Sequence, residues 1–137
     1  MEINYFAVVL ATIAQFAVGF VWYMPIFGKV WGEMHGFDKL DKKTQKEMQS
    51  QMGPYYAGQL LITVLTTIVL AKLLLLLPNY SPYALAFMSW VGFVVPTQVS
   101  AVLFGGTDKQ WMVKKTAIMA FGSLACLLVA ALILSKV

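Results

Sequence analysis

The sequence predicts an all-α, polytopic membrane protein, a bundle of four transmembrane helices within one domain of residues 1–137. Three observations support this fold class. Hydrophobic residues make up 60% of the chain and charged residues 12%, whereas soluble domains average about half and about a quarter. Four apolar stretches each reach the ~20 residues that a helix needs to cross the bilayer core. None of them alternates with a period of two, so helices are expected rather than strands.

The first two spans are separated by a long polar link. We expect the first span at residues 3–23, where no residue is charged, and the second at residues 55–77. Pro54 fits the first turn of the second helix, where a missing N–H does no harm. Lys72 is the one charge in the second span, and its aliphatic stem can carry the ammonium to the membrane surface.

The third and fourth spans are expected at residues 83–104 and 113–134. Pro78 and Pro82 mark the end of the second helix and the start of the third. Because the connection between them is short, these two helices are predicted to be antiparallel neighbours. Pro96 lies inside the third span and predicts a kink, since proline removes one helical hydrogen bond.

Residues 24–53 form the link between the first and second spans. Its polar part predicts a short surface helix with Asp38 as the N-cap and Asp41 in the first turn. The link and the start of the fourth span carry most of the lysines: Lys29, Lys39, Lys42, Lys43, Lys46, Lys109, Lys114 and Lys115. The positive-inside rule places this side in the cytoplasm. We therefore expect a multi-pass protein of the inner (cytoplasmic) membrane with both termini extracytoplasmic.

Two stretches of the sequence resemble each other. VGFVWYMP occupies residues 18–25 and VGFVVP occupies residues 91–96. One interpretation is a parallel duplication of a two-helix unit, related by an axis along the membrane normal, where a site would form. The other is a coincidental match, because apolar segments align easily with one another.

Each of the first three spans contains one glutamine, namely Gln15, Gln59 and Gln98. Polar side chains inside a membrane are rare and need hydrogen-bond partners. One hypothesis is that the glutamines bond between helices and hold the bundle, at about 0.6–2 kcal/mol for each bond. The other is a polar pocket open to the cytoplasm. On the second helix, spacings of three and four place several polar residues on one face: Tyr56, Gln59, Thr63 and Thr66.

The sequence offers little for catalysis. His35 and Cys126 are the only histidine and cysteine, and their predicted depths differ, so no metal set is expected. No phosphate-binding loop or nucleophile motif is present. We therefore expect neither an enzyme nor a cofactor. Nucleic acid is not expected as a partner, because the lysines flank apolar runs and do not form a basic face.

The expected partners are the lipid bilayer and further copies of the chain, because four helices bury little surface for a lone membrane protein. Gly122, Cys126 and Ala130 recur at a spacing of four in the fourth span. Such a stripe of small residues lets another helix approach closely. The sequence leaves open whether that helix belongs to the same chain or to a neighbouring subunit.

Residues 19–31 read GFVWYMPIFGKVW, and WVGFVVP follows in the third span, with Phe104 at its end. This pattern resembles the family catalogued as domain of unknown function 1761, small four-span bacterial membrane proteins. The chain departs from the family at residues 105–106, where glycines replace commonly charged residues. It departs again at residues 117–118, where a glycine–tyrosine pair would be expected. The resemblance implies four spans and a membrane location, and it implies no activity.

The GFVWYMPIFGKVW motif has two interpretations. Trp22 and Tyr23 suit the headgroup region as anchors, with Pro25 ending the first helix. Alternatively, the fixed order of Pro25, Phe27 and Gly28 makes the chain fold back against the third helix and contribute to a site.

Two functions are compatible with these features, and we expect the first, with the second as the alternative. The first is a small carrier or channel for a neutral or weakly polar solute, with a small solute or a lipid as the bound molecule. The second is a non-catalytic membrane scaffold or accessory subunit, in which the glutamines only hold helices together. The candidate binding residues are Gln15, Gln59, Thr63, Pro96, Gln98, Trp22, Tyr23 and Tyr56.

Overall fold

The computed structural model describes residues 2–137 and confirms the all-α fold class. Four helices are long and apolar enough to cross a membrane: α1 (Tyr5–Ile26), α4 (Gly53–Leu76), α5 (Pro82–Phe104) and α6 (Lys109–Lys136). Two short helices, α2 (Gly28–Met34) and α3 (Lys42–Ser50), lie in the link between α1 and α4. The protein is therefore a four-span membrane protein with a partly helical link.

The membrane helices begin at residues that suit a helix start. Asn4 precedes α1, and its Oδ1 accepts a hydrogen bond from the backbone N–H of Ala7 at 3.2 Å. This cap satisfies one of the backbone donors left free in a first helical turn. Proline occupies the first turn of both α4 and α5, at Pro54 and Pro82. Its fixed φ angle suits that turn, and no backbone hydrogen bond is lost there.

Helices α1 and α5 each pass through a wider π-helical turn near a proline. In α1 this turn covers Trp22–Ile26 and includes Pro25, so the first helix ends at Ile26, one residue after Pro25. A π-turn accommodates a residue that donates no backbone hydrogen bond. In α5 the π-turn covers Trp90–Val94, directly before Pro96. The third span is thus irregular just before Pro96, while the kink expected at Pro96 itself stays a prediction.

Helix α6 lies between α1 and α5, while α4 packs mainly on α1. The closest packing uses small residues: Ala11, Ala86, Ala130 and Ala131 are each completely buried. Leu70 and Leu127 complete this cluster. Because the alanines are small, the backbones of α1, α5 and α6 can come close together. Helices α4 and α5 touch each other, but each packs more extensively on another helix than on its neighbour in sequence.

The link begins where α1 ends and turns sharply at Gly36, whose φ of 72° favours glycine. A short 3-10 turn at Phe37–Lys39 follows. Helix α3 then starts after Asp41, whose carboxylate accepts a hydrogen bond from the backbone N–H of Thr44 at 3.2 Å. The N-cap is therefore Asp41, and the prediction of Asp38 is wrong. Asp38 lies in the separate 3-10 turn, three residues too early to reach the first turn of α3.

Candidate functional site

The glutamine of α1 bonds to α4 in the centre of the bundle. The Gln15 carboxamide nitrogen donates to Thr67 Oγ1 at 2.7 Å and to the Ala11 carbonyl oxygen at 3.1 Å. Gln15 is 6% exposed and Thr67 is completely buried. A hydrogen bond between two buried side chains on different helices fixes their relative rotation and depth. Gln15 therefore joins α1 to α4.

A ladder of polar groups continues from this pair along α4. The Thr67 hydroxyl donates to the Thr63 carbonyl oxygen at 2.6 Å, and the Thr63 hydroxyl donates to the Gln59 carbonyl oxygen at 2.7 Å. Thr63 is buried, whereas Gln59 is exposed. The face that was predicted with Thr66 in fact contains Thr67, which lies four residues after Thr63. Tyr56 is 55% exposed, and Thr66 is exposed as well.

The glutamine of α5 bonds to α6. The Gln98 carboxamide nitrogen donates to Ser123 Oγ at 2.6 Å and lies 3.4 Å from the Met119 carbonyl oxygen. Within the described residues, the Gln98 carboxamide oxygen is buried without a partner. Gln98 and Gln15 thus occupy different helix pairs and do not share one pocket. Pro96 lies on the outer, exposed side of α5.

Two tryptophans, one on α1 and one on α5, donate hydrogen bonds to the backbone of α6. The indole N–H of Trp22 donates to the Ile118 carbonyl oxygen at 2.9 Å, and that of Trp90 donates to the Ala120 carbonyl oxygen at 2.6 Å. Each tryptophan opens one of the π-turns. Sequence reasoning placed Trp22 in the headgroup region and missed Trp90. The signal that could have identified Trp90 is its position in the third span, shortly before the kink predicted at Pro96.

Gly122 allows Trp22 to approach α6. A Cβ atom at this position would lie 2.8 Å from the Trp22 indole nitrogen and 2.9 Å from its Cδ1 atom. On the same stripe of small residues, the Cys126 thiol donates to the Gln15 carbonyl oxygen at 3.6 Å. Ala130 packs in the same cluster as Ala11 of α1. The stripe on α6 therefore faces α1 of the same chain.

The rest of the GFVWYMPIFGKVW motif folds α2 back onto the end of α1. The Tyr23 and Trp31 rings meet edge to face with centroids 5.0 Å apart, and Trp22 contacts Phe27 at 4.9 Å. Gly28 is close to α1 as well, because a Cβ atom there would lie 3.2 Å from the Tyr23 carbonyl oxygen. The motif thus builds a joint between α1 and α2.

Trp31 also connects this joint to the start of α6. The centroid of its ring lies 4.8 Å from the centroid of the His35 ring and 5.7 Å from the Lys115 ammonium nitrogen. The Lys115 ammonium is 3.1 Å from His35 Nε2, while His35 Nδ1 lies 2.7 Å from the Trp31 carbonyl oxygen. Both distances are satisfied when Nδ1 carries the proton and Nε2 accepts from Lys115. The link and the lysine-rich end of α6 are therefore in direct contact.

Two hollows lie outside the helix interfaces. One is a groove on the outer face of α5, from Pro96 to Gly105. The other is a cleft between the link and the α5–α6 connection, with Glu33, His35 and Lys115 among its lining residues. Neither is lined by any of the three membrane glutamines. Within residues 2–137, no group of three or more histidine, cysteine, aspartate or glutamate side chains is placed to hold a metal ion.

Comparison with known proteins gives one match. The model of a protein family described as "Protein of unknown function (DUF1761)" matches residues 6–135, which is nearly the whole chain. No curated protein matches the sequence, and no solved structure does.

Proposed function

The chain belongs to the DUF1761 family of proteins of unknown function, and on that premise we propose that it is a non-catalytic membrane scaffold or accessory subunit. We place it in the cytoplasmic membrane, with the lysine-rich link inside and both termini outside. The family supplies no activity, so the proposal depends on the contacts of this chain. Reporter fusions at the C-terminus test the orientation, and activity of a cytoplasmic reporter there would contradict it.

The observation that carries the proposal is that the polar groups of the helices bond to one another. Gln15 binds Thr67, Gln98 binds Ser123, and Trp22 binds the backbone of α6. A carrier must release such groups to its solute and move helices between two states. Each interhelical bond broken would cost about 0.6–2 kcal/mol. A network of this kind favours a bundle with one arrangement over a bundle that rearranges.

A scaffold also needs a surface for other chains, and the exposed Gln59 on α4 supplies one. Its carboxamide both donates and accepts hydrogen bonds, so two copies of it are complementary across a two-fold axis. Inside a membrane such a group gains more from a partner helix than from lipid. Within the chain the Gln59 carboxamide nitrogen makes a long hydrogen bond to Thr63 Oγ1 at 3.4 Å. A homo-oligomer that pairs Gln59 with Gln59 adds a second partner to each group. The proposed occupant of this face is therefore a second copy of the chain.

Site-directed crosslinking tests this arrangement. In a Cys126→Ala background, Gln59→Cys should form a disulfide-linked dimer in membranes under mild oxidation. The matched control is Leu61→Cys, because Leu61 is 72% exposed on α4 and lies about 200° around the helix from Gln59. Equal crosslinking at the two positions, or none at Gln59, would contradict the proposed interface.

One observation favours the other candidate function, a carrier for a neutral or weakly polar solute. The ladder from Gln59 through Thr63 and Thr67 to Gln15 leads from an exposed position to the centre of the bundle. Proteoliposomes in a glycerol gradient test it by light scattering. A carrier requires faster glycerol entry than in empty liposomes, and Gln59→Leu should abolish the difference. If the protein is a scaffold, glycerol should enter at the rate of empty liposomes with both the unmodified protein and Gln59→Leu.

A further inference from the structure

The groove on the outer face of α5 is shallow and open, so an acyl chain has room to lie along the helix. It is lined by Pro96, Thr97, Ser100, Ala101, Phe104 and Gly105. Ten helical residues extend over about 13–15 Å, so the groove follows α5 for roughly half the thickness of a bilayer core. The Thr97 hydroxyl already donates to the Phe93 carbonyl oxygen at 2.7 Å, which leaves a surface suited to hydrocarbon.

The cleft at the lysine-rich end carries charges of both signs. It has a volume of about 630 Å³, and three carboxylates line it, those of Glu33, Asp38 and Asp108. Two lysines, Lys39 and Lys115, line it as well. Three negative and two positive groups leave one net negative charge when His35 is neutral. A purely anionic headgroup is therefore a poor match, and a headgroup that carries both charges fits better.

Two further features favour a polar ligand in the cleft. The Thr107 hydroxyl lines it and is buried without a hydrogen-bond partner in the described part of the chain. Buried hydroxyls nearly always have partners, so this one points to a polar group that the described residues do not supply. The Lys115 ammonium is held by the His35 and Trp31 rings. Because neither ring neutralises it, its charge remains available to an anion.

The groove and the cleft meet at Gly105, which lines both. A side chain at this position would collide with the Ala101 carbonyl oxygen, so only glycine fits the backbone where α5 ends. Both hollows therefore border the same stretch of backbone without a side chain between them. One molecule with an apolar tail and a charged head would fill both hollows.

We infer that the groove and the cleft together bind one phospholipid with a zwitterionic amine headgroup, of the phosphatidylethanolamine class. An acyl chain lies along α5, and the headgroup passes Gly105 into the cleft. The phosphate is paired with Lys39 and Lys115, and the ammonium with Asp108 and its neighbouring carboxylates. The site lies apart from Gln59, so it does not depend on the proposed dimer.

Native mass spectrometry of the detergent-purified protein tests this site. The protein is mixed with equal amounts of phosphatidylethanolamine and phosphatidylglycerol that have identical acyl chains. We expect the ethanolamine adduct to exceed the glycerol adduct about fivefold, as one added ion pair at a surface gives. Equal adducts, or a preference for phosphatidylglycerol, would overturn the inference.

Variants in the cleft test the binding of the headgroup's ammonium and of its phosphate separately. Asp108→Asn removes the partner of the ammonium, so the preference for ethanolamine over glycerol should fall towards one. Lys39→Gln removes a partner of the phosphate and should weaken both adducts about equally. Lys42→Gln is the matched control, because Lys42 is an exposed lysine of α3 outside the cleft. The assignment fails if Lys42→Gln has the effect predicted for Lys39→Gln.

A variant in the groove tests the acyl chain. Ala101→Phe fills the groove and should reduce the ethanolamine adduct several-fold, whereas Ala84→Phe should not, because Ala84 is exposed on α5 outside the groove. Both positions are exposed, so the unfolding temperature should stay near that of the unmodified protein. Free phosphoethanolamine in large excess distinguishes a lipid from a soluble ligand. Competition by it, or full binding by Ala101→Phe, would refute a lipid site.

Discussion

Gly122→Ala should destabilise the bundle through a collision with a single side chain. The new Cβ atom would lie 2.8 Å from the Trp22 indole nitrogen, about 0.7 Å inside an ordinary carbon contact. The indole must move, which weakens its hydrogen bond to Ile118. Overpacking costs about 1–3 kcal/mol and the lost bond about 0.5–1.5 kcal/mol. Alanine returns about 0.8–1 kcal/mol of helix propensity, which leaves a net loss of about 0.5–3.7 kcal/mol.

Thermal unfolding in detergent, followed by circular dichroism, measures this loss. The matched controls are Gly19→Ala in α1 and Gly58→Ala in α4, because a Cβ atom at either position meets nothing within 4 Å. Both controls should leave the Tm unchanged or raise it. The decisive comparison repeats Gly122→Ala in a Trp22→Ala background, where the collision partner is missing. If Gly122→Ala lowers the Tm as much without the indole as with it, the reasoning is refuted.

Three further changes test other contacts. Gln98→Leu leaves the Ser123 hydroxyl without its α5 partner. Unfolding in detergent should show that the free energy of unfolding falls by about 0.6–2 kcal/mol. An unchanged free energy of unfolding would contradict an interhelical role for Gln98. Trp90→Phe keeps a ring but removes the donor to α6, so the Tm should fall by the equivalent of about 1 kcal/mol, and no fall would show that the bond contributes nothing. Hydrogen bonds from the Thr44 side chain and backbone lower the pKa of Asp41 in the folded protein. The N-cap of α3 is therefore intact above the pKa of an unfolded aspartate, which is about 4. It is lost as the pH falls through the lower pKa of the folded state. The amide NMR shift of Thr44 should follow that titration, and it should not do so in Asp41→Ala.

Much of the architecture follows from the sequence because it depends on simple physical requirements. The length of the apolar runs determines the number of spans, and the lysines between them mark one side. The interhelical hypothesis for Gln15 could also be stated from sequence, because a buried amide needs a partner. That partner could not be named, because the rotation of each helix depends on all its neighbours. Thr66 and Thr67 are adjacent residues of the same type, and only the packing of α4 on α1 selects Thr67 as the partner of Gln15.

The tryptophan contacts were harder to predict for a related reason. Trp22 suits a membrane interface and Trp90 lies within the third span, yet both indoles bind the backbone of α6. These contacts depend on the π-turns, which change the direction of a side chain relative to a regular helix. The role of Gly122 is visible only after Trp22 has been placed. The N-cap of α3 shows the same limit, because Asp38 and Asp41 are both good caps and the turn at Gly36 selects Asp41.

The central claim is that the intramembrane polar groups hold the helices together. A double-mutant cycle of Gln15→Leu and Thr67→Val measures it most directly, with unfolding in detergent as the readout. The structure predicts a coupling energy of about 0.6–1.7 kcal/mol between the two positions, because each single change leaves the other group buried without its partner. A coupling energy of zero, with both single variants as stable as the unmodified protein, would contradict the claim.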